Sequence, residues 1–99
     1  NVYSVELENV LAAAPGVFEV AVVGVPDEMM GEKVGAVVVP TPGTTFDPDA
    51  FLAYARAHLA DFKVPQYLVA RPELLPRNPG GKVLKPVLRK ETEWGKPIR

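Results

Sequence analysis

Apolar positions along the chain switch between helical spacing and unbroken runs, and each pattern predicts an element. Near the start, Leu7, Val10, Leu11 and Ala14 fall at i, i+3, i+4 and i+7, the stripe of an amphipathic helix. Ser4 is placed to cap that helix, Glu6 and Glu8 suit its positive end, and Pro15-Gly16 stops it. VFEVAVVGV (17–25) is β-branched and almost continuously apolar, so it reads as a well-buried strand. PDEMMGEK (26–33) reads as a loop and VGAVVVP (34–40) as a second strand. That loop leaves no room for a crossover helix, so the two strands are expected to pair antiparallel.

The second half is punctuated by proline and glycine. TPGTTF is a turn, and Asp47 before Pro48 is an N-cap with proline at the first helical position. A helix from Pro48 to about Ala60 would place Phe51, Ala55 and Leu59 on one face, with Leu52 beside them. DFKVP ends it, and QYLVA (66–70) is a short strand. Lys85-Pro86 opens a last helix, PVLRKETEW, which Gly95 stops. These elements make a small α+β domain: a three-stranded, mainly antiparallel sheet with packed helices, plus a C-terminal lysine-bearing hairpin or turn.

Composition narrows the class. Ninety-nine residues suffice for one core, and 47% hydrophobic with 23% charged residues describes a globular chain rather than a disordered one. Without cysteine there is no disulfide framework and no thiolate metal site, which fits a reducing, cytoplasmic setting. No apolar run approaches the roughly 20 residues of a membrane span, and NVYSVELE does not read as a signal peptide. The abrupt start suggests a piece of something longer. Charge is unevenly spread. Residues 1–50 carry eight acids against Lys33, whereas residues 71–90 carry six bases against Glu73. Two solvated surfaces or a local anion site near the C-terminus would both produce this pattern. Nucleic acid fits poorly, because the basic stretch is short and the chain carries a net charge of −1.

The candidate chemistry lies in LPRNPGGKVLK (75–85). It is not a phosphate-binding P-loop, because Val83 follows the lysine where that motif needs Ser or Thr for magnesium. Pro76 and Pro79 restrict the backbone, while Gly80 and Gly81 allow conformations that other residues resist. Lys82 then puts a compact cation on a long reach, suited to carboxylate or phosphate oxygens. An ordinary hairpin turn with a solvated lysine has the same pattern. His58 is the single histidine, has no ligand partner in sequence and reads as structural, and Trp94 reads as an anchor for the tail.

This segment resembles the C-terminal signature of the adenylate-forming enzymes, through Leu75, Pro76, Gly81, Lys82, Val83 and Lys85. GVPDEMMGEKVGAVVV (24–39), LADFKVPQYLV (59–69) and NVYSVELE are similar to other family segments in the same order. DFKVP and GKVLK look like acyl-CoA synthetases in particular. The resemblance implies that residues 1–99 are a single C-terminal domain whose partner is an N-terminal adenylation domain outside them. It implies a ligase of fatty acid metabolism that uses ATP and coenzyme A, with Mg2+ bound elsewhere in the full-length enzyme. It holds no metal site and acts on a carboxylic acid rather than nucleic acid. Lys82 would serve acyl-adenylate formation beside Gly81. Met30 and Gly31 would lie along the pantetheine path, Phe62 near the coenzyme A adenine and Lys63 near a phosphate. Met30 and Phe62 could equally be core residues, and Lys63 a solvated charge. The isolated chain is expected to be inactive. The competing expectations are a non-catalytic interaction module that uses its acidic and basic ends, or the C-terminal domain of another adenylate-forming enzyme.

Overall fold

A computed structural model of the chain describes residues 4–27, 29 and 31–98. The elements run α1 (Ser4–Leu11), β1 (Val17–Asp27), β2 (Gly31–Pro40), α2 (Pro48–His58), a 3-10 turn (Asp61–Lys63), β3 (Tyr67–Ala70) and α3 (Lys85–Glu91). The sheet order is β1-β2-β3. β1 and β2 pair antiparallel over a long ladder, as their short connection requires, and β3 runs parallel to β2. The parallel pairing is open to β3 because α2 lies between the two strands and returns the chain to the starting edge.

Alternation along the strands explains why β1 and β2 are apolar almost throughout. Val22, Val34, Ala36 and Val38 face one side and pack with Leu7 and Leu11 of α1 and with Phe51, Leu52 and Ala55 of α2. Ala21, Val37 and Val39 face the other side, where Leu75, Leu88, Val83 and Trp94 cover them. Val23, Val25 and Tyr67 continue that second face beneath Trp94. The sheet is therefore the middle layer of three, and a strand covered on both faces has no polar side to show. Trp94 is the anchor its sequence position suggested. It meets Tyr67 edge-on at 6.1 Å, and its indole N–H donates to the Arg89 carbonyl at 3.2 Å.

Local signals set the ends of the elements. The Asp47 carboxylate accepts from the backbone N–H groups of Asp49 and Ala50, with Pro48 at the first helical position. Ser4 is buried and lies within α1. The loop expected over 26–33 shortens, because Pro26 pairs with Glu32 and Val25 with Lys33. Beyond the covered core both faces of these strand ends meet water, so their sequence is polar while their backbone still pairs. Pro26 is tolerated because β1 is an edge strand. Helix α3 ends at Glu91, short of Gly95, where the chain turns to bring Trp94 onto the sheet.

Candidate functional site

The stretch around Lys82 folds as a narrow, internally bonded turn. Leu84 N–H donates to the Pro76 carbonyl at 2.8 Å, and Arg77 and Val83 form an antiparallel bridge. Asn78 closes the tip from both sides. Its N–H donates to the Lys82 carbonyl at 3.0 Å, and its side-chain oxygen accepts from the Lys82 N–H at 3.0 Å. Gly81 N–H donates to the Asn78 carbonyl at 2.9 Å. Gly81 has φ of +92°, a conformation that excludes most side chains, although a Cβ there would meet nothing within 4 Å. Glycine is demanded by the backbone at this position and not by space. Lys82 stands exposed at the tip, and its ammonium has no hydrogen-bond or acidic partner among the described residues.

The base of the turn is fastened to the sheet. Leu75 is buried against Ala21, Val37 and Val39. Its N–H donates to Oε2 of Glu19 at 3.1 Å, and the Arg77 guanidinium forms an ion pair with Oε1 of the same residue. Burial disfavours ionisation of Glu19. The hydrogen bonds from Arg77 and from the Leu75 N–H, with the charges of Arg77 and Arg71, outweigh it and hold the carboxyl below the ordinary glutamate value. A β-bulge decides which way Glu19 faces. The register slips between Val17 and Glu19, so Phe18 has no partner on β2 and is exposed. Val17 then joins the core on the helical side while Glu19 turns to the side that carries residues 75–94.

Charges that are far apart in sequence meet in space. Lys85 pairs with Glu8 at 2.8 Å, Arg89 with Glu32 at 3.0 Å, Lys63 with Glu6 at 3.0 Å, and Arg77 with Glu19. Three acids of the first half, Glu8, Glu19 and Glu32, are therefore drawn to bases of the C-terminal stretch, so the two charged segments are not separate surfaces. Lys82 and Lys90 are the bases of the 71–90 stretch without an acidic partner among the described residues. The signature position Lys85 opens α3, just beyond the turn. It joins α3 to α1 through Glu8, whose Oε2 also accepts from the Val22 N–H at 2.8 Å.

The residues suggested for coenzyme A lie elsewhere. Gly31 opens β2 with φ of +77°, is exposed, and has open space around its Cα. Met30 lies outside the described residues. Phe62 is not a core residue: it is 61% exposed, with the Lys63 ammonium 5.6 Å from its ring centre. The Lys63 ammonium is also held by both carboxylate oxygens of Glu6, at 3.0 and 3.1 Å. Gln66, just beyond this turn, bonds to both backbone groups of Val34 at the start of β2. Gly31, Phe62 and Lys63 thus belong to the end of the sheet where β2 begins. Glu19, which holds the Lys82 turn, pairs with Val39 at the other end. Eight residues of extended chain separate the Glu19 and Asp27 ends of β1, on the order of 25 Å. His58 is exposed at the end of α2, where Nδ1 lies 2.8 Å from the Tyr54 carbonyl and the ring stacks on Tyr54.

Reasoning from sequence passed over Glu19 and Asn78. Each left a signal: a carboxylate inside a run of buried β-branched residues, and an Asn ahead of Pro-Gly-Gly, where Asx side chains bond to the backbone.

The model of the AMP-binding enzyme C-terminal domain matches residues 6–82. The chain belongs to that family. It is 54% identical, over 92% of its length, to a propanoyl:CoA ligase of Rhodococcus jostii (strain RHA1) whose acyl group carries a 7a-methyl-1,5-dioxo-octahydro-1H-inden-4-yl substituent. It is 46% identical, over its full length, to the fatty acid–[acyl-carrier-protein] ligase ScoC of Streptomyces coeruleorubidus. The chain spans 18% and 19% of the length of these two relatives. The ATP-bound crystal structure of MatB from Rhodopseudomonas palustris superposes with a TM-score of 0.81 at 44% identity, covering 89% of this chain and 17% of that one. The α+β fold is thus that of the small C-terminal domain of these enzymes. Among the described residues no helix is long and apolar enough to cross a membrane.

Proposed function

We propose that this chain is the C-terminal domain of an AMP-forming acyl-CoA synthetase, and that Lys82 serves its first half-reaction. In that half-reaction a carboxylate oxygen bonds to the α-phosphorus of ATP and pyrophosphate leaves. In the second, the thiol of coenzyme A bonds to the acyl carbon and AMP leaves. The observation that carries the reading is the state of Lys82: an ammonium with no internal partner, on a turn held at both tip and base, in a segment where Arg77, Lys85 and Arg89 are all tied to carboxylates. Lys82 would bridge the carboxylate and phosphate oxygens and stabilise the charge that develops between them, without moving a proton.

The opposite end of the sheet suits the second half-reaction. Gly31 lets a pantetheine chain approach the backbone, with Met30 beside it in sequence. The exposed ring of Phe62 offers a stacking surface for adenine. Lys63 would meet a phosphate by exchanging it for Glu6. Two sites on opposite ends of one small domain fit a partner domain that meets first one end and then the other. That partner would be an N-terminal adenylation domain of the same enzyme, carrying the acyl pocket, the ATP site and its Mg2+. ATP and coenzyme A as co-substrates are in keeping with a cytoplasmic enzyme. The acid is selected outside these residues, and fatty acids are one class it could belong to.

The test is to separate the half-reactions in the full-length enzyme. Lys82→Ala should lower pyrophosphate release from ATP and acid by about 100-fold or more. It should leave thioester formation from supplied acyl-adenylate and coenzyme A within about twofold of the parent. Equal loss in both half-reactions would reject the assignment.

A further inference from the structure

Resting on this reading of Lys82, we propose that Glu19 is a positioning residue for adenylation: it sets where the Lys82 turn points. The turn is closed on itself by the Leu84–Pro76, Asn78–Lys82 and Gly81–Asn78 hydrogen bonds and by the Arg77–Val83 bridge. A unit closed in this way moves as one piece, so the direction of Lys82 is decided where the piece joins the body. On the incoming arm that junction is Glu19. One carboxylate takes the Leu75 N–H on one side of Pro76 and the Arg77 guanidinium on the other. Arg77 is drawn further into place by a 3.4 Å contact from Nη1 to the Leu75 carbonyl. The outgoing arm is held separately, by buried Leu88 and by the Lys85–Glu8 pair.

The placement of Glu19 is specific to this task. The slip in register at Phe18 turns a carboxylate onto a face otherwise lined by Ala21, Val37 and Val39. An apolar residue there would fill the space but leave the Leu75 N–H without an acceptor and Arg77 without a counter-ion. Glu19 never approaches the substrates in this account and acts only through the turn. A displacement of the reacting group by about 1 Å can cost on the order of 100-fold in rate. Loosening the base should therefore be read as a loss of adenylation and not of thioester formation.

The experiment uses the full-length enzyme with four variants: Glu19→Gln, Lys82→Ala, the double variant, and Asp47→Ala. Asp47→Ala removes a helix cap away from both sites and controls for lost stability. Glu19→Gln should lower the kcat of pyrophosphate release about 10- to 100-fold. Thioester formation from supplied acyl-adenylate should stay within about twofold. Asp47→Ala should lower Tm without changing the ratio of the two half-reactions. The double variant should lose no more adenylation than Lys82→Ala alone, because Glu19 has nothing to position once the ammonium is gone. Parent-like adenylation by Glu19→Gln, an equal fall in both half-reactions, or a further loss in the double variant would each overturn the proposal. If Glu19→Gln does not fold, Arg77→Gln breaks the same tie from the other side and carries the same expectations. If Lys82→Ala adenylates normally, the functional reading of Lys82 falls and this inference falls with it. If Lys82→Ala is crippled while Glu19→Gln is not, only this inference falls.

Discussion

An ammonium that no carboxylate holds can give its full charge to an incoming anion, and among the described residues Lys82 is in that state. What makes it usable is the backbone beneath it. Asn78 accepts from the Lys82 N–H while donating to its carbonyl, and Gly81 takes the φ of +92° that lets the two meet. Gly81→Ala tests that geometry without introducing a steric clash, since open space surrounds the position. The strain should cost about 1–2 kcal/mol. For a domain of this size that is a Tm lower by roughly 4–15 °C in a thermal melt. In the full-length enzyme, pyrophosphate release should fall further than thioester formation. At this scale the tip of the turn was legible from residues 75–85 alone, because glycine and proline chemistry is local. Its base was not, because Glu19 lies 56 residues before Leu75 in the chain.

Elements here are defined by what lies over them. Strand β2 is central and buried from Val34 to Val39, and within that buried stretch Gly35 is the one residue without a side chain. Trp94 explains that. A Cβ on Gly35 would sit 2.9 Å from Cζ3 of Trp94 and 2.5 Å from Cγ2 of Val25. Gly35→Ala should lift the indole from the sheet or displace Val25, at a cost of about 1–3 kcal/mol. Trp94 is the only tryptophan, so its fluorescence should shift to the red as the melting temperature falls. An unshifted spectrum with parent stability would mean that the tail is not seated there. The helices and strands themselves were readable from spacing and caps, as Asp47-Pro48 shows. The strand ends at Pro26–Asp27 and Gly31–Lys33 were not, because backbone pairing runs on past the covered core where side chains turn polar.

As a whole, the molecule is a sheet covered on both faces, with a shell of ion pairs that joins the halves of the chain. One member of that shell, Glu19, gives stability a pH dependence. Its carboxyl ionises below the ordinary glutamate value of 4.5 in the folded protein. The folded state therefore favours the charged form, and the stability it gains is present above about pH 4.5 and is lost as pH falls through the folded value. Glu19→Gln should melt earlier than the parent at neutral pH, and the gap should close on acidification. Thermal melts of both proteins from pH 7 to pH 3 check this, and a gap that stays constant would refute it. The uneven charge along the chain is compatible with two solvated surfaces or with a local anion site near the C-terminus. Folding opposes the two halves, because the segment from Leu75 to Trp94 must cover the second face of the sheet and takes its cations to the acids of α1, β1 and β2.

By itself the sequence determined the class of fold, the order of the elements, the Lys82 turn and the family. Each of these is written in residues close together along the chain: periodicity, caps, turn glycines and a contiguous signature. Only the tertiary structure decided that β3 runs parallel to β2, that bases of the C-terminal segment meet acids of the first half, and that the base of the Lys82 turn lies at the Glu19 end of β1 while Gly31 lies at the other. It also decided that a strand carboxylate, Glu19, holds the base of the Lys82 turn. Those relations join residues tens of positions apart. They are chosen by burial of both sheet faces and by charge pairing in space, and no local pattern records them.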